Sequence, residues 1–147
     1  MSVSLPPYIK AQPVIKDAIE TIESGYEFLL AYAAQGRPAQ AETGPGPHAR
    51  PTIEGVATAM DTVQASFADS NNEFEKVIAE DCRKAVAALR FILAQPAIGS
   101  EMVDNLNASI HLRAVLTDLF LYSEAKEPIG AEGTPDSGSM AYDASKS

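Results

Sequence analysis

From Asn72 to Tyr122 the apolar residues return every three or four positions, a rhythm that suits helices and not strands. One short turn, Gln95-Pro96-Ala97-Ile98-Gly99-Ser100, divides the stretch in two. The first half carries Phe74, Val77, Ile78, Cys82, Ala85, Val86, Leu89, Ile92 and Leu93 on one face. Asn72, with Glu75 three residues on, resembles a capping box and marks its start. Gln95 precedes Pro96, which cannot donate the next helical hydrogen bond, so the helix ends there. The second half is predicted as one helix from Ser100, its expected cap, to Tyr122. Met102, Val103, Leu106 and Ile110 give it one stripe, and from Leu112 onward it is apolar on more than one side. So short a turn makes the two helices antiparallel neighbours.

Two further helices precede this pair. Pro13 suits a first helical position, and Ile15, Ile19, Ile22, Tyr26, Leu29 and Ala33 follow at coiled-coil spacing to about Gln35. Gly25 inside that helix costs roughly 1 kcal/mol relative to Ala, and a close helix crossing would account for it. Ile53, Val56, Met60, Val63 and Phe67 define the next helix, from Thr52 to about Ala68. Between the two, residues 36–51 are rich in Gly and Pro and read as a long loop without lasting structure. The expected fold is therefore all-α: a single antiparallel four-helix bundle over residues 13–125. An extended N-terminal segment, 1–12, precedes it, and a flexible C-terminal tail, 126–147, follows it.

A chain of 147 residues can bury enough surface to fold as one domain, with no need of a metal or a disulfide. It holds a single cysteine, Cys82, and no stretch resembling a signal peptide or a membrane span, so a cytoplasmic location is expected. The net charge of −9 argues against nucleic acid and anionic membrane as partners, since both demand an excess of cations.

Charge is nevertheless segregated. The first helix carries Glu20, Glu23 and Glu27; the third carries Lys76, Arg83 and Arg90 at heptad spacing. The cations are expected either to take intrahelical partners, as in Glu80–Lys84, or to meet the acidic stripe within the bundle or across a dimer. Arg113 and Asp118 interrupt the most apolar part of the chain, and Asp81 interrupts the third helix; each reads as an edge position or part of a structural ion pair. Cys82 reads as a small buried hydrophobe and His111 as a polar helix-face residue. No metal-binding or catalytic motif is present, so neither a cofactor nor a catalytic residue is assigned.

The segment from Asn107 to Glu124 resembles the phosphoacceptor helix of sensor histidine kinases, through Asn107, Ser109, Leu112, Arg113, Leu116, Tyr122, Ser123 and Glu124. Ile110 stands where the phosphorylated histidine would be and Val115 replaces the proline, so the resemblance carries over no catalytic residue.

These features lead to the expectation of a non-enzymatic protein–protein interaction module: an accessory, regulatory or assembly factor, working as a homodimer. Its candidate interface residues are Lys76, Arg83, Arg90, Glu20, Glu23, Glu27, Phe120 and Leu121. The alternative is a bundle that holds an apolar small molecule or cofactor near Met60, Cys82, Met102 and Arg113. An enzyme built on Asp81, His111 and Asp118 ranks last, because their spacing suggests no shared role.

Overall fold

Apolar residues at helical spacing have to be covered, and in the computed structural model, which describes residues 7–125, the helices cover one another. There are five α-helices, α1 (Pro7–Ala34), α2 (Arg50–Phe67), α3 (Glu73–Leu93), α4 (Ser100–Ala108) and α5 (His111–Glu124), with a short 3-10 helix at Ala39–Thr43. No strand occurs among the described residues. Helix α1 packs on α2, α4 and α5, while α3 packs on α2 and α5. Between them lies one core, which includes Ile15, Ile22, Leu29, Ile53, Met60, Phe67, Ile78, Leu89, Leu112 and Leu119. Each such side chain contributes about 1.5–3 kcal/mol relative to exposure.

Several boundaries differ from the sequence reading. The first helix begins at Pro7, so residues 7–12 are helical and not extended, and Pro13 lies inside the helix. Pro7 takes the first helical position, where a missing N–H goes unmissed. The rest of the expected extended segment, residues 1–6, and the expected tail, 126–147, lie outside the described residues. The long loop holds the 3-10 helix, and α2 starts at Arg50 with Pro51 in its first turn.

The helix predicted as continuous from Ser100 to Tyr122 is broken. Ile110 has φ 62°, in the left-handed region, and separates α4 from α5. Local polar groups compete with the helical ladder there. Ser109 Oγ donates to the Leu106 carbonyl at 2.6 Å, and Ile110 N–H turns back to Asn107 O at 3.3 Å. Ile110, assigned to the apolar stripe, is 56% exposed.

The caps show similar local substitutions. Asn72 caps α3 as expected, its side chain accepting from Glu75 N–H at 2.9 Å. The reciprocal half of the box does not form: Asn72 N–H goes to Ser70 Oγ, and Glu75 turns inward. Gly99, not Ser100, caps α4. A Cβ on Gly99 would lie 2.8 Å from the Ala39 nitrogen, so the approaching chain leaves no room for a side chain. Gly25 does mark a close helix crossing: a Cβ there would stand 2.4 Å from Val56 Cγ2 on α2.

Candidate functional site

The charged stripes occupy separate faces. Glu20, Glu23 and Glu27 are exposed on α1, and none forms an ion pair among the described residues. On α3, Lys76 is exposed and Arg83 bonds Glu80 of its own helix, Nη2 to Oε2 at 2.7 Å. Glu80 thus pairs with Arg83 rather than Lys84, and this hydrogen bond holds its carboxyl below the usual range. Arg90 reaches across to Asp61 on α2. The acidic and basic stripes do not meet within the chain, because α1 and α3 share no extensive seam.

Two contacts fix how α5 lies against α3. Tyr122 Oη donates to Glu75 Oε2 at 2.6 Å, and the Asp118 carboxyl lies beside that of Asp81. Advancing along α3 from 75 to 81 means retreating along α5 from 122 to 118, so the helices are antiparallel. Leu121 then stands level with Val77, and the Phe91 end of α3 lies toward Ile110. All four are exposed: Phe91 by 70%, Leu121 by 60%, Ile110 by 56% and Val77 by 45%. Phe120 is 42% exposed and belongs to the opposite flank of α5, one turn after buried Leu116 along the helix. Sequence periodicity points to the surplus at Phe120 and Leu121, but it puts Val77 and Ile110 on apolar stripes and gives Phe91 no role.

The sequence predicts Asp81 and Asp118 as separate edge positions or parts of ion pairs, and the structure puts them side by side. No cation pairs with either among the described residues, and Arg113 is exposed elsewhere. Asp118 Oδ2 is sealed from solvent and accepts no hydrogen bond. Burial first, then the hydrogen bond and charge of Asp81, push the Asp118 carboxyl up to about 7. Beside them, Cys82 is completely buried, and burial with the charges of Asp118, Asp81 and Asp61 pushes its thiol up to about 12. It is the small buried core residue that its position in the helix predicts. His111 lies two turns before Asp118 on α5, so the three residues of the enzymatic reading do not converge.

A polar cluster unforeseen from sequence closes one end of the molecule. Arg50 Nε bonds Glu42 Oε2 at 2.6 Å, while its two terminal nitrogens donate to Leu93 O at 2.7 Å and Gln95 O at 3.0 Å. Arg50 thereby satisfies carbonyls at the end of α3. Glu42 accepts from Ile98 N–H at 2.7 Å, and the hydrogen bond from Arg50 is the main reason its carboxyl is held below the usual range. Ser100 Oγ donates to Tyr32 O at 2.5 Å, and Tyr32 Oη donates to Ile98 O at 3.0 Å. Nothing in the spacing announces these bonds, since none joins residues one or two turns apart on a single helix. A cleft of about 790 Å³ opens beside them, lined by Arg37, Ser100, Glu101, Met102 and Asp104 among others.

The residues of the ligand-binding alternative are dispersed. Met60 and Cys82 are sealed in the core, Met102 borders the end cleft and Arg113 faces outward. Among the described residues no group of three or more His, Cys, Asp or Glu is placed to hold a metal ion. No helix among them is long and apolar enough to cross a membrane. No protein-family model matches the chain, and neither a curated protein nor a solved structure does.

Proposed function

We propose that the chain is a non-enzymatic protein–protein interaction module, an accessory, regulatory or assembly factor that works as a homodimer in the cytoplasm. In this reading the five helices form one antiparallel four-helix bundle, α4 and α5 serving as a single broken rod. The observation that carries the reading is the run of Val77, Leu121, Phe91 and Ile110 along the outer face of α3 and α5, each at least 45% exposed. Exposed apolar side chains gathered on one face mark contact surfaces. Charge supports a second copy as the occupant. Glu20, Glu23 and Glu27 of one copy, which form no ion pair among the described residues, complement Lys76, Lys84 and the Glu80-paired Arg83 of the other, which flank the apolar run. The net charge of −9 favours a protein partner over nucleic acid.

The ligand-binding alternative finds less support, since its four residues do not share a cavity. Sedimentation equilibrium tests the homodimer. The expected mass is twice that of the 15.6 kDa chain. Reversal of Lys76 and Arg83 to Glu should give monomers, and combining it with Glu20, Glu23 and Glu27 changed to Lys should restore the dimer. A wild-type chain that stays monomeric at tens of micromolar rejects the reading.

A further inference from the structure

Helices α3 and α5 meet through two polar contacts of different kinds. At Tyr122–Glu75 a phenol donates to a carboxyl group. At Asp81–Asp118 two carboxyl groups face each other, and one oxygen, Asp118 Oδ2, is buried without a donor. Two carboxyl groups in contact cannot both ionise without strong repulsion, so one proton between them is what makes the contact attractive.

We infer that Asp81 and Asp118 form a proton-dependent latch between α3 and α5, closed while the pair holds a proton and loosened when the proton leaves.

The surrounding charges offer no substitute. On α3, Cys82 is buried, and Lys84, one turn beyond Asp81, forms no ion pair among the described residues. On α2, Asp61 is bound to Arg90. On α5 itself, His111, Arg113 and Glu124 form no ion pair with Asp118. The charged residues of α1 within 13–34 and those of α4, Glu101 and Asp104, are all exposed. Loss of the proton therefore leaves two negative charges on one seam, with no cation among the described residues paired to either.

The direction follows from linkage. A carboxyl whose proton affinity rises on folding adds stability at acidic pH and loses it as pH climbs through its folded titration. The seam is closed on the acidic side and opens toward alkaline pH.

Cys82 is the only cysteine and is fully buried, so thiol labelling reports the opening of this region alone. The experiment labels Cys82 with an aromatic disulfide reagent from about pH 5.5 to 8.5, dividing each rate by that of an unfolded cysteine peptide. That division removes thiolate ionisation. The expected wild-type rate rises toward alkaline pH, approaching tenfold per pH unit if one proton governs opening, a slope of about one. In Asp118→Asn an amide donates permanently to Asp81, and the corrected rate is expected to be low and flat. A flat wild-type profile overturns the latch, and so does an Asp118→Asn profile as steep as wild type. If Asp118→Asn does not fold, amide exchange of α5 in the wild-type chain, corrected for intrinsic rates, decides the matter: exchange that accelerates with pH upholds the latch, and pH-independent exchange removes it.

Discussion

Tyr122 Oη and Glu75 Oε2 lie 2.6 Å apart inside the core, joining the last turn of α5 to the first turn of α3. Glu75 is only 3% exposed, and its other oxygen accepts from Ser70 Oγ at 2.6 Å. Removing the phenol hydroxyl leaves a buried acceptor short of a donor, at a cost of about 1–3 kcal/mol. Tyr122→Phe should therefore lower stability by that amount in urea unfolding with little change in m-value. The ring still packs edge-on against Phe67, so the loss isolates the hydroxyl.

Gly25 and Val56 supply a second test. The site has no room for a Cβ, because one would stand 2.4 Å from Val56 Cγ2. Gly25→Ala should destabilise the chain although alanine favours helices by about 1 kcal/mol. Val56→Ala alone should also destabilise, through lost packing. The double variant is expected to be more stable than the two losses summed, and a thermodynamic cycle from denaturant curves measures that coupling.

Ile110 offers the opposite sign. It holds φ 62° with its side chain 56% exposed, so it bears backbone strain with little burial in return. Ile110→Gly should raise stability by up to about 1–2 kcal/mol, a gain reduced by the greater freedom of glycine in the unfolded chain. Under the proposed homodimer it should also weaken self-association, and sedimentation reads that separately.

Arg50 and Glu42 give a pH-dependent test. The Glu42 carboxyl is held below its usual 4.5, so it adds stability that is present above that value and lost as pH falls through its folded titration. Glu42→Gln should flatten this part of the acid limb of the stability profile. Arg50→Met should flatten it too, and should also speed amide exchange around Ile98 by freeing Glu42, which accepts from that N–H.

Periodicity made most of the helices legible: α2 and α3 fall within two residues of their expected limits, and the buried faces of Ile53–Phe67 and Ile78–Ile92 follow the three-four rhythm. Gly25 announced its crossing because glycine inside a helix needs a reason. The break at Ile110 was illegible, since isoleucine carries no preference for the left-handed region and fitted the apolar stripe. Asp81 and Asp118 each looked like a lone interruption, because periodicity describes the face of one helix and says nothing of its level against another. Arg50 was counted in the loop, although its side chain binds the end of α3.

Arg37, Glu42 and Arg50 tie the α1–α2 connection to the α3–α4 turn, through Arg37 N–H to Ser100 Oγ at 2.8 Å, Glu42 to Ile98 and Arg50 to Gln95. At the opposite pole the described residues make one chain connection, the brief link of residues 68–72 between α2 and α3, beside the Tyr122–Glu75 bond. The molecule is thus hinged at one pole like a closed book, with its spine where those two connections are stitched together. Extra residues spliced in at Asp69 would leave the spine untouched, while the same residues spliced in beside Glu42 would cut its thread.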